Sequence, residues 1–142
     1  MLHNTIALNN NTYGIRVWSG ASVALTNTIL VSHTIGITVA AGSTATLEGT
    51  LWGSGAWANG TDWNGAGAVV TGTVNLWGDP YLAADGYHLG IGSAAIDRGI
   101  NAGVINDIDG DARPQDDGYD LGADEVLTTH WRYIYLPLVM RN

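Results

Sequence analysis

Apolar and polar residues alternate in short runs along the first half of the chain, and the runs recur. In "SVALT" (22–26), Val23 and Leu25 fall on one side of an extended strand; in "TATLE" (44–48), Ala45 and Leu47 do the same. "GIRV" (14–17) and "GITV" (36–39) repeat the pattern with Ile15 and Val17, then Ile37 and Val39. No stretch shows the spacing of an amphipathic helix. Small turn pairs, "SG", "AG" and "NG", separate the runs, and their glycines Gly20, Gly42 and Gly65 lie 22 and 23 residues apart. Upstream, "NTIALNNNTYGIRVW" (4–18) matches "NTILVSHTIGITV" (27–39), with Gly14 falling 22 before Gly36.

A period of about 22 residues without helix predicts the coils of a right-handed parallel β-helix, about three to four of them. Coils stacked about 4.8 Å apart lay like residues over like and satisfy the backbone everywhere except at the two ends. An antiparallel sandwich of short strands is the competing architecture; the recurrence of turn glycines in register favours the all-β helix. Asn4 and Asn27 each open an "NT" pair at matching positions. They are expected either to stack as an amide ladder or to act as ordinary turn residues.

The pattern stops near Asp79. Residues 1–78 are read as coils, 79–126 as a loop-rich acidic capping segment, and 127–142 as a C-terminal apolar strand or tail. The 142-residue chain carries a net charge of −8 and no lysine, so nucleic acid and anionic membrane surfaces are poor partners. Six tryptophans and no phenylalanine supply the aromatic bulk, and 20 glycines fit a turn-rich chain. The absence of cysteine excludes a disulfide framework and thiolate zinc sites. The start "MLHNTIALNN" does not have the form of a signal peptide, and no apolar run approaches the roughly 20 residues of a membrane span.

"GDPYLAADGYHLGIGSAAIDRGIN" (78–101) and "DIDGDARPQDDGYDLGADE" (107–125) contain five ordered elements: Asp79–Pro80, Tyr87–Leu89, Gly92–Gly99, Asp107–Pro114 and Asp120–Glu125. In this order they resemble the end of bacterial surface β-helix proteins of the choice-of-anchor Q type. One departure is an alanine in the Gly92–Gly99 element where the family usually has proline. The ending "HWRYIYLPLVMRN" (130–142) resembles the "YLPLV" tail of secreted proteins from filamentous green bacteria, a sorting or anchoring tail. The resemblance implies an extracellular or cell-surface protein and no single activity. β-Helix relatives include polysaccharide lyases and hydrolases, but a fold does not assign a reaction.

Eight of the thirteen carboxylates lie within 107–125, a density that invites a calcium reading. Asp107, Asp109 and Asp111 fill the first three ligand positions of an EF-hand loop, but its sixth position is Ala112 and its twelfth Gly118, so that motif fails. A calcium site of another kind would draw on Asp107, Asp109, Asp111, Asp116 and Asp120. The structural alternative pairs Arg113 and Arg98 with some of these aspartates and leaves the rest capping turns. Apart from a calcium ion, no cofactor is expected.

Catalysis on a β-helix needs converging carboxylates or a base on adjacent coils. Before Asp79 the charged residues are Arg16, Glu48 and Asp62, and no two carboxylates occupy like positions on neighbouring coils. His3 and His33 are out of register with each other and are expected at turns or on the surface. The chain therefore reads as a non-enzyme. Trp52, Trp57, Trp63 and Trp77 could stack on sugar rings; alternatively they fill the core and cover its end. Asn10 and Asn59 meet the N-glycosylation pattern.

The chain starts inside a coil without a capping helix, so the first coil is expected to meet either an upstream part of a longer protein or a second copy. Tyr133, Tyr135, Leu136, Leu138 and Val139 form an apolar strand suited to adding to another copy's sheet edge. The sequence thus points to a non-catalytic structural module that self-associates head to tail into filaments. A polysaccharide-binding module, or the remnant of a polysaccharide-degrading enzyme, is the second reading.

Overall fold

The computed structural model describes residues 1–7 and 12–128. Asn10 and the apolar tail with Tyr133, Tyr135, Leu136, Leu138 and Val139 lie outside the described residues. The chain is all-β. β1 (Leu2–Ile6) and β2 (Tyr13–Val17) make the first coil, β3 (Ser22–Leu30) and β4 (Ile35–Val39) the second, and β5 (Thr44–Gly53) and β6 (Thr61–Asn64) the third. β7 (Ala68–Thr71) and β8 (Asn75–Gly78) begin a fourth turn, and both pair with β5. Every pairing between these strands is parallel. One sheet runs β1-β3-β5-β7, with β8 also on β5, and the other runs β2-β4-β6. This is a β-solenoid of about three turns.

The register follows the sequence period. Val23 and Leu25 lie beside Ala45 and Leu47, Ile15 and Val17 beside Ile37 and Val39, and Arg16 beside Thr38. These positions build the interior between the sheets, where Leu25, Leu30, Ile37, Val39, Ala45, Leu47 and Trp52 are all buried. Full burial of each large aliphatic side chain contributes about 1.5–3 kcal/mol, which is what holds the coils in this register.

The long strands β3 and β5 each turn a corner. Up to Leu25 and Leu47 the odd-numbered residues face the interior; beyond the corner it is Leu30 and Trp52. The parity switches at Asn27 (φ 53°) and Gly49 (φ 68°), both left-handed and neighbours in the stack. In the first coil the same corner is held by His3 (φ 47°). The asparagine ladder is therefore not formed by Asn4 and Asn27. Asn4 lies beside Thr28, one position out of the expected register, because His3 takes the corner. A β-carbon at Gly49 would come within 2.6 Å of the Asn27 side-chain oxygen, so glycine answers both the backbone angle and the close approach.

The corner also turns Ile29, Val31 and Leu51 outward, where a second apolar cluster joins them to Leu89, Ala95 and Leu121. The capping segment thus covers the side of the solenoid. It holds few regular pairs, only bridges such as Gly99 with Tyr119 and Asn106 with Ala112. Side-chain hydrogen bonds fix it instead. The Asn27 side chain accepts from Ile100 N at 2.9 Å and donates to Ile100 O at 2.6 Å, and Ala123 N donates to Thr5 Oγ1 at 3.1 Å.

Candidate functional site

The acidic stretch folds into a capping loop in which most carboxylates serve the backbone. Asp107 accepts from the amides of Asp109 and Asp111 through one oxygen and from Glu125 N through the other. Burial alone would raise its pKa, but these N–H donors outweigh it and hold the carboxyl below its ordinary value. Asp116 accepts from the amide and hydroxyl of Thr128. Asp120 is buried between Asp97 N (2.7 Å) and Val126 N (2.8 Å), and desolvation raises its pKa to about 7. Asp111 is exposed. The five aspartates proposed from sequence as one metal set therefore point to different tasks, and among the described residues Asp109 alone of the five joins a cluster of potential ligands.

The loop is pinned by Arg113 and Glu125, whose side chains are both fully buried. Arg113 donates to Glu125 Oε2 at 2.6 Å and to the carbonyls of Asp120 and Gly122. Glu125 also accepts from the amides of Gln115 and Asp120. Arg113 does pair with a carboxylate of the stretch, but with Glu125 and not with one of the expected aspartates; among the described residues no ion pair joins Arg98 to a carboxylate.

Asp109 meets His88 and Asp124, and their nearest ligand atoms all lie within 4.8 Å of one another. The three residues come from separate loops. Asp85 sets the imidazole: its Oδ1 accepts the amides of Tyr87 and His88, and its Oδ2 lies 2.6 Å from His88 Nδ1. His88 Nε2 points the other way, 2.7 Å from Asp109 Oδ2. Asp124 is buried and accepts from Leu89 N at 2.7 Å. Hydrogen bonds to Asp85 and then Asp109 raise the His88 pKa to about 9, and the bond to His88 lowers that of Asp85 to about 2. Burial raises that of Asp124. The sequence reading named Asp109 but not His88, Asp85 or Asp124. The loop-loop approach across 21 residues from His88 to Asp109 has no local signature; only the "YHL" element marked His88 at all.

A concavity of about 330 Å³ lies between the first coil and the cap, lined by apolar residues such as Leu2, Val104 and Ile108 together with His3, Asp107 and Arg113. The Asn27 amide is oriented by Ile100, so its Nδ2 donates to His3 Nε2 at 3.0 Å, and His3 carries its proton on Nδ1. Burial, reinforced by Arg113, lowers the His3 pKa to about 4. His3 and His33 do lie near corners, but both are buried rather than on the surface.

The tryptophans divide. Trp52 is fully buried and Trp57 half-buried against the second cluster, while Trp63 and Trp77 are exposed at the last coil. Trp77 donates its Nε1–H to Asp62 at 2.8 Å. Asn59 uses its side chain as a corner brace: its oxygen accepts from His33 N and its amide donates to Leu30 O and Asp62. Glu48 accepts from the amides of Thr73 and Val74 and closes the turn between β7 and β8. Among the described residues, no helix is long and apolar enough to cross a membrane. Compared with protein-family models, curated proteins and solved structures, the chain finds no match in any of the three.

Proposed function

We propose that the chain is a non-catalytic structural module of an extracellular or cell-surface protein of the choice-of-anchor Q type, and that it associates end to end. The observation that carries this reading is the course of the core columns. Ile6, Leu30, Trp52 and Trp77 stack in one column, and Ile15, Ile37 and Trp63 in another. Exposure in these columns rises from 0% at Trp52 and Ile37 to 57% at Trp77 and 39% at Trp63, where no further coil follows among the described residues. At the opposite face the same columns begin with Ile6 and Ile15, which are half-buried. Among the described residues, β1 and β2 at one end, and β6, β7 and β8 at the other, pair on one side only. Unpaired parallel edges over interrupted apolar columns are surfaces that a second copy completes by continuing the stack. Such a head-to-tail contact does not close, so it propagates as a filament.

Sedimentation velocity across a concentration series tests this. Ala68 N and Gly72 N donate back to β5, so in a parallel ladder the intervening Thr71 N–H faces the open edge. Thr71→Pro removes that donor while leaving the β5 pairing in place. The wild type is expected to polymerise and the variant to stay small. A wild type that sediments as a monomer at all concentrations overturns the proposal.

The exposed Trp63 and Trp77, with Asp62 beside them and a shallow depression of about 250 Å³ at Thr61, Asp62 and Trp63, favour a second reading, polysaccharide binding at the same end. Titration with soluble polysaccharides would then shift the tryptophan fluorescence of the wild type and not that of Trp77→Ala.

A further inference from the structure

We infer that His88, Asp109 and Asp124 form a binding site for a divalent transition-metal cation of the zinc class, which cross-links three loops of the cap. Calcium prefers an all-oxygen shell, whereas an imidazole nitrogen beside two carboxylates suits zinc and its neighbours. The nitrogen is what separates this cluster from the rest of the acidic loop. Among the described residues, this is the group in which a histidine and two carboxylates bring ligand atoms within 4.8 Å of one another.

The ring is already set for coordination. Asp85 is held by two backbone amides and lies 2.6 Å from Nδ1, so it receives the Nδ1 proton and leaves Nε2 to face the other two ligands. A carboxylate behind a ligating imidazole fixes its tautomer and orientation in known metal sites. Asp124 is the buried member, anchored by Leu89 N, and belongs to the segment that also carries Leu121 and Glu125. The side chains of His88 and Asp109 are 37% and 44% exposed, which gives an ion an entry path from solvent. On binding, the cation takes the place of the proton between Nε2 and Asp109, and that proton leaves to solvent. Three aspartates facing one histidine carry surplus negative charge, and a divalent ion with a neutral imidazole reduces it.

The consequence is mechanical. Asp85–Leu89, Asp109 and Asp124 belong to three loops with few backbone pairs between them, and one ion would tie them together. The test is isothermal titration of the tag-free chain with Zn²⁺, with Co²⁺ absorption as an optical readout and thermal unfolding in parallel. One equivalent is expected to bind, to raise the melting temperature, and to give a ligand-field spectrum, while Ca²⁺ and Mg²⁺ do none of these. His88→Gln and Asp109→Asn alter exposed side chains, so both should fold with the wild-type circular dichroism spectrum and lose at least tenfold in affinity. Absence of stoichiometric binding in the wild type overturns the inference. So does binding that survives both substitutions, since the ion would then sit elsewhere.

Discussion

Replacing Arg113 by methionine puts the cap's central interaction under direct strain. The wild-type guanidinium makes a 2.6 Å charged contact with Glu125 and reaches two further carbonyls, at 3.3 and 3.0 Å, with both side chains at 0% exposure. Methionine fills much of the volume but leaves the Glu125 carboxylate buried with only the amides of Gln115 and Asp120 as partners. Breaking a buried pair by removing one member costs about 3–5 kcal/mol, because the remaining charge is uncompensated. At roughly 2–4 °C per kcal/mol for a chain near this size, the melting temperature should fall by roughly 6–20 °C. Adding Glu125→Gln to Arg113→Met removes that charge but keeps an acceptor oxygen for only one of the two amides, which donate to different oxygens of Glu125, so the double variant should regain part of the loss, the one unpartnered amide costing about 1–3 kcal/mol. Urea unfolding followed by tryptophan fluorescence supplies the four free energies of the cycle. If Arg113→Met lies within about 1 kcal/mol of the wild type, or the two substitutions simply add, the ion pair does not organise the cap and the reasoning fails.

Three further outcomes follow from the same contacts. Two buried groups oppose each other in their pH dependence. His3, lowered to about 4, contributes stability that is present above about 6.5 and lost on acidification, by up to roughly 3 kcal/mol. Asp120, raised to about 7, contributes stability that is present below about 3.8 and lost as pH rises through 7, by up to roughly 4 kcal/mol. The wild type should therefore change little between pH 4 and 7 from this pair, and Asp120→Asn should expose a steady loss on acidification; a flat urea midpoint in that variant would contradict the assignment. Leu121→Ala, at the centre of the outer cluster, should lose about 2–5 kcal/mol in denaturant unfolding, and a loss below about 1 kcal/mol would mean the cap does not seal the coils. Gly49→Ala should cost roughly 1–3 kcal/mol from the left-handed backbone alone and release the Asn27–Ile100 clasp, seen as faster amide exchange at Ile100; unchanged exchange there would contradict the corner's role.

The coils were legible because each core column repeats its chemistry at a fixed interval: Leu25 over Leu47, Ile15 over Ile37, Val17 over Val39. A period of that kind survives in one dimension. The corner was misplaced by one residue because asparagine, histidine and glycine can each occupy a left-handed position, and the repeated "NT" pair suggested Asn4 where the fold uses His3. The cap was recognisable as a segment by its change in composition, and the distinction of Arg113 as a charge partner was visible beside so many aspartates. Its internal assignments were not. Asp107 and Asp116 resemble ligands in sequence but spend their oxygens on Asp109, Asp111, Glu125 and Thr128, and His88 reaches Asp109 only after two loops have folded together. The exposed tryptophans illustrate the same limit. Trp52 and Trp77 occupy equivalent register positions, yet Trp52 is covered by the next coil and Trp77 is exposed where, among the described residues, no coil follows.

End-to-end association is decided most directly by negative-stain electron microscopy of the purified chain beside Thr71→Pro. The stacking account predicts unbranched filaments one solenoid wide for the wild type and isolated particles for the variant, in the presence or absence of a chelator, since the His88 cluster lies in the cap and not on the coil edges. Isolated wild-type particles at every concentration, or filaments undiminished in Thr71→Pro, would contradict it.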